Sequence, residues 1–161
     1  MSRLSTTPGV WKVWVPTLFL ASCSRAAPPP PQQSLGEVMV QVGRRFEVAG
    51  RACLANRFAL AEFEVQEIEE LFDEGVPRAT LPKGGPTAHI PTMAKGFRMA
   101  QLPDLEKAAA SSDRPAFTSA FERAAAVCNA CHQASAKAFI QVSSEPGKFV
   151  PDLDALPTAH P

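Results

Sequence analysis

The chain has 161 residues, with 16 Lys and Arg against 16 Asp and Glu, so its formal net charge is zero. That balance leaves no basic footprint for nucleic acid, and the length suits one domain. Aromatic residues make up only 7% and Tyr is absent, while Ala, Leu, Glu and Val recur; such a composition favours helices.

Arg3 and Lys12 form a positive region ahead of a short apolar run from Val13 to Ala21. The run is too short to span a bilayer as a permanent helix and has the form of an export signal. Leu20-Ala21-Ser22-Cys23 resembles a bacterial lipobox, so residues 1–22 read as a lipoprotein signal peptide and Cys23 as the lipid-modified first residue of the mature chain. Cleavage near Ala26 without lipid is the competing reading. Residues 23–33 then form a tether stiffened by Pro28, Pro29, Pro30 and Pro31. Either cleavage places the mature protein outside the cytoplasm.

Ser34-Leu35-Gly36-Glu37 is a capping box and predicts the start of helix one. Leu35, Val38, Met39, Val42, Phe46, Ala49 and Cys53 follow at steps of three and four, one apolar stripe that ends near Asn56. The pattern predicts helix two from Phe58 to Gly75, with Ala61, Val65, Ile68, Leu71 and Phe72 inward. Its seven acidic residues, from Glu62 to Glu74, read as a solvated face rather than a docking patch for a basic partner. Residues 77–96 are punctuated by Pro77, Pro82, Gly84, Gly85, Pro86 and Pro91 and read as a loop, with a short helical turn near Met93 to Phe97. Helix three is predicted over Ala100 to Ser112, with Leu102, Leu105, Ala108 and Ala109 inward and Pro103 in its first turn. Asp113 is the expected N-cap of helix four, with Pro115 just inside. Phe117, Phe121, Ala124, Cys128, Cys131 and Ser135 lie along its stripe. After Ala136 the pattern fades into an extended, Gly- and Pro-containing tail, in which Phe139 and Ile140 could cover an apolar edge.

The last helix carries Cys128-Asn129-Ala130-Cys131-His132, a C-x-x-C-H signature of covalent c-type haem attachment. On a helix, Cys128 and Cys131 share a face and His132 lies beside them. Two thiols can therefore add to two vinyl groups on one porphyrin edge while the imidazole reaches the iron. The competing readings of C-x-x-C lack their context. A thioredoxin-like pair wants a βαβ setting, and a structural zinc site wants a second ligand pair, whereas Cys23 and Cys53 are single. Cys53 reads as a buried thiol.

Four amphipathic helices with C-x-x-C-H in the last one resemble the class II c-type cytochromes, the cytochrome c-prime group, over residues 34–141. The resemblance implies an all-α fold, an antiparallel up-down four-helix bundle with covalently attached haem c, followed by a tail over 142–161. It implies His132 as the fifth iron ligand. In low-spin members of the class a Met early in helix one is the sixth ligand, and Met39 occupies that place; His89, Met93 and Met99 are the other candidates. Class II proteins often place an aromatic and then a basic residue three and four positions past the His. Here Ser135 and Ala136 stand there, with Lys137 one further on. Arg44 and Arg45 are candidates to pair with a haem propionate.

The expectation is a periplasmic monohaem c-type cytochrome that carries single electrons between redox proteins in the periplasm or membrane and transforms no substrate. It would be lipid-anchored through Cys23 on the periplasmic side of a bacterial membrane. The alternative is a five-coordinate, cytochrome c-prime-like protein binding nitric oxide or carbon monoxide. A peroxidase is disfavoured, because no helix offers a distal His and Arg acid–base pair. The family's habit of pairing through helices one and two leaves a homodimer open.

Overall fold

A computed structural model describes residues 32–147, Gly84 excepted, and every regular element among them is a helix. The signal segment, Cys23, the tether up to residue 31 and the tail beyond 147 lie outside the described residues. The described part of the chain contains one isolated parallel bridge, between Ser34 and Thr80, and no strand.

Helix α1, Leu35–Leu54, starts as its sequence predicts. The Ser34 hydroxyl accepts from the Glu37 amide at 3.3 Å, and the Glu37 carboxylate accepts from the Ser34 amide at 2.7 Å. Two of the amides that every helix start leaves orphaned are thereby satisfied. Those bonds to Ser34 hold the Glu37 carboxyl below its ordinary value. Helix α2, Phe58–Glu70, passes through a π-helical turn, Leu71–Gly75, into the short α3, Val76–Arg78. Helix two therefore runs past its predicted end. Pro77 has no amide for the carbonyl four residues back, and the wider π turn just before it accommodates that gap in the ladder.

The predicted loop is shorter than its prolines suggest. Helix α4, Ile90–Ala100, begins with Pro91 in its first turn, where a proline supports a helix instead of breaking it. Gln101 alone separates it from α5, Leu102–Ala110. Pro103 cannot donate to the Met99 carbonyl, which explains the interruption at that point. Helix α6, Arg114–Ala134, starts as predicted, with the Asp113 carboxylate accepting from the Ala116 amide at 3.0 Å.

Three of the helices stop by the same device. Asn56, Ser112 and Ala136 take left-handed φ values of 58°, 56° and 56°. Each sits in a Schellman pair of hydrogen bonds, whose outer members run from Arg57 N to Ala52 O at 2.8 Å, Asp113 N to Ala108 O at 2.9 Å and Lys137 N to His132 O at 2.8 Å. The first two stops make the tight links between α1 and α2 and between α5 and α6. The third turns the chain back beside α6.

The arrangement is compatible with a helical bundle. Helix α1 packs on α2, α2 on α5, α5 on α6, and α6 on α1. The predicted stripes form one core, in which Val38, Val65, Ile68, Leu102, Leu105, Phe117 and Phe121 are almost fully enclosed. The acids of helix two depart from the expected solvated face. Arg45 reaches from α1 to Glu64 at 3.0 Å and Glu67 at 2.7 Å, and Arg98 reaches from α4 to Glu69 at 2.6 Å and Asp73 at 2.8 Å. Glu64 is itself buried, so these pairs stitch neighbouring helices together.

Candidate functional site

The start of α1, which carries Met39, meets the end of α3, and the end of α6, which carries Cys128, Cys131 and His132, meets the start of α4; Arg45, Cys53 and Met99 lie elsewhere. Three contacts mark this pole and a fourth ties the last turn of α4 to the π turn. The Leu35 amide donates to the Thr80 carbonyl at 3.0 Å. Gly75 lies so close to Val38 that a Cβ there would sit 3.2 Å from its methyl carbon. Phe72 stacks on Phe97 with centroids 4.8 Å apart. The His89 Nε2 and Ser135 Oγ are 3.2 Å apart. The π turn lies at the same pole, and such turns are frequent where a helix has been adapted to a site.

Cys128, Cys131 and His132 occupy the last two turns of α6, all half-buried, and both cysteines are free thiols. Burial is the main cause that pushes the Cys128 thiol up to about 12, with the neighbouring Cys131 adding to it. Burial also raises Cys131, against a hydrogen bond from Ser135 that acts in the other direction. A redox-active C-x-x-C pair has the opposite property, a lowered thiol that is partly thiolate. With both thiols raised, the pair lacks the thiolate character that exchange chemistry uses.

His132 Nδ1 lies 3.0 Å from the Ile140 carbonyl oxygen. A carbonyl only accepts, so Nδ1 carries the proton and Nε2 keeps its lone pair for a metal. Ile140 is brought there by the returning tail. The Asn129 carboxamide holds that tail on both sides of one residue, donating to the Val142 carbonyl at 2.9 Å and accepting from the Val142 amide at 2.7 Å. Farther on, the Gly147 amide donates to Glu47 of α1 at 2.5 Å. None of these contacts was legible in the sequence, since Asn129 fills a variable position of the motif. The only available signal was the extended pattern of residues 139–142. Phe139 and Ile140 keep their side chains exposed, Phe139 at 78%, whereas Val142 packs against the core.

Met39 is half-buried on α1, packed against the core beside the fully buried Val38. Among the other candidates, Met99 points outward with 61% exposure, Met93 is half-buried in the first turn of α4, and His89 is engaged with Ser135. Arg45 is committed to Glu64 and Glu67, which removes it as an available partner for a propionate; Arg44 is exposed. Cys53 is buried, as the sequence reading expects, and burial raises its thiol as well. A cavity of about 530 Å³ opens at the same pole between the α2–α3 segment and α4. Phe72, Val76, Ala79, Leu81, Ile90 and Ala94 line it, with Asp73, Lys95 and Arg98 at its rim. None of the motif residues lines it.

No protein-family model matches the chain, and neither curated proteins nor solved structures give a match. The donor set at the pole fits a covalently held haem. Two free cysteines one helical turn apart sit beside an imidazole whose Nδ1 is engaged and whose Nε2 is free, and a thioether side chain lies half-buried on a packed neighbouring helix. No helix among the described residues is long and apolar enough to cross a membrane.

Proposed function

We propose that this chain is a monohaem c-type cytochrome, built as an antiparallel up-down four-helix bundle, that carries one electron at a time on the periplasmic side of a bacterial membrane. Cys23 would bear the lipid that anchors it. The observation that carries the reading is the motif itself, Cys128-Asn129-Ala130-Cys131-His132, with both cysteines outside any disulfide and with His132 held so that Nε2 is the free nitrogen.

The register between α1 and α6 supports Met39 as the second axial ligand. Arg114 bonds Asn56, and Phe121 stacks on Phe46, so residue numbers fall along α1 as they rise along α6. Continued two turns further, that relation would bring Cys128 level with Met39, with His132 one turn beyond. The helices linking these residues are joined by short Schellman turns, as neighbours in an up-down bundle are.

In this reading Cys128 and Cys131 would hold the haem through two thioether bonds, each S–H adding across one vinyl group. Bound haem would supply the iron whose charge changes by one electron. His132 would ligate that iron through Nε2, with the Ile140 carbonyl keeping the ring from rotating. Met39 would offer a soft thioether as a second ligand, one that favours the reduced state. Partners would be redox proteins of the periplasm or membrane. The test is the visible spectrum of the purified chain in both oxidation states, with haem release attempted in acid acetone. Haem that resists extraction and is lost in a Cys128→Ala/Cys131→Ala chain is expected. A chain purified from a strain able to attach c-type haem, yet lacking haem, would overturn the reading.

A further inference from the structure

We propose that Asn129 is a positioning residue for the iron ligand, acting through the C-terminal strap of residues 139–147; the inference rests on the cytochrome reading above. The Schellman stop at Ala136 sends the chain back along α6. A strap reversed in this way has no regular partner for its backbone, and a single side chain supplies one. The Asn129 carboxamide closes a two-bond ring on Val142, at 2.9 and 2.7 Å. Two residues earlier the Ile140 carbonyl meets His132 Nδ1 at 3.0 Å. Asn129 and His132 are one turn apart on the same helix, so the clamp and the ligand share one face.

The strap is pinned again downstream. Gly147 bonds Glu47, and Pro146 lies against Gly50, both on α1. With both ends fixed, the Ile140 carbonyl is a preset acceptor and not a drifting loop atom. A metal-bound imidazole that donates its other N–H to a carbonyl is held in one tautomer and orientation and becomes a stronger electron donor. The strap therefore stabilises the oxidised iron relative to the reduced iron. Asn129 sets how fully that effect operates. The C-x-x-C-H pattern leaves this position open, so the chain uses an unspecified position of its own motif for the purpose.

The experiment compares full-length wild type, Asn129→Ala and Val142→Pro, each haem-loaded. Asn129→Ala removes both clamp bonds, and Val142→Pro removes one without touching the motif. Covalent haem content is read first; a wild-type chain without haem overturns the function reading itself and this inference with it. In loaded protein, hydrogen exchange across residues 139–147 is expected to speed up in both variants. The ferrous-to-ferric equilibrium is expected to move about threefold to tenfold toward the ferrous state, tenfold being about 59 mV for one electron. The double variant should shift no further than the larger single one, because both act through one contact. Faster exchange with an unchanged potential would overturn the proposal, and so would a strap that stays protected without Asn129.

Discussion

Phe46 of α1 and Phe121 of α6 stack nearly parallel, with ring centroids 4.0 Å apart and 13° between their planes. Gly50, one turn along α1 from Phe46, lies under the edge of the same Phe121 ring. A Cβ at this glycine would fall 2.8 Å from two ring carbons and 2.5 Å from Pro146. Gly50→Ala gains roughly 1 kcal/mol of helix propensity but must displace a fully packed ring, which costs about 1–3 kcal/mol. The variant is expected to be less stable than wild type in urea unfolding. Gly43→Ala is the control, because nothing lies within 4 Å of its Cβ. That substitution should stabilise the chain by about 0.5–1 kcal/mol. Equal behaviour of the two variants would mean that the helices do not approach this closely.

The core and the helix starts were legible in the sequence because they depend on local rules. Ser34 with Glu37, and Asp113 with Pro115, announce their helices through short-range hydrogen bonding, and the apolar stripes follow the helical period. The reading failed where a local rule has two outcomes. Pro77 and Pro91 look like breaks, yet Pro91 falls in a first helical turn, where a missing amide does no harm, and Pro77 is carried by the π turn just before it. Glu64 looks like one more surface acid, because nothing near it in sequence announces Arg45. The motif of the candidate site was equally plain, whereas its supports were not. Asn129, Ile140 and Val142 meet only because the chain reverses at Ala136, an alanine in a conformation usually taken by glycine. That reversal leaves no compositional trace.

The Arg98 bridge gives a signed dependence on pH. Its hydrogen bond is the main cause that holds the Asp73 carboxyl below its ordinary value of 3.8. A carboxyl whose folded value is depressed binds its proton less readily in the native state. The stability it adds is therefore fully present above the unfolded value and drains away as the pH falls through the lower, folded value. Because Asp73 is exposed, the effect is screened and small. Asp73→Asn should lower the urea midpoint at pH 7, and the difference from wild type should close as the pH falls below 4. A difference that persists unchanged at pH 2 would show that the carboxylate charge is not its source.

In the cytochrome reading proposed above, Met39 would decide between an electron carrier and a protein that binds small gases. It is half-buried on α1, and the Asn56–Arg114 and Phe46–Phe121 contacts set its turn about level with Cys128. If Met39 closes the sixth iron position, the ferrous protein must break that bond before carbon monoxide can enter, which slows and weakens gas binding. Met39→Ala removes the competitor, and apparent affinity for carbon monoxide is then expected to rise at least about tenfold, close to 1.4 kcal/mol. The ferric spectrum of the variant should also lose its iron–sulfur charge-transfer band. His89→Ala and Met93→Ala are expected to leave both readouts unchanged, since neither residue holds the iron in this reading. Wild-type protein that already binds carbon monoxide tightly and fast would instead assign the pole to gas binding, with Met39 serving only to pack α1 against the core.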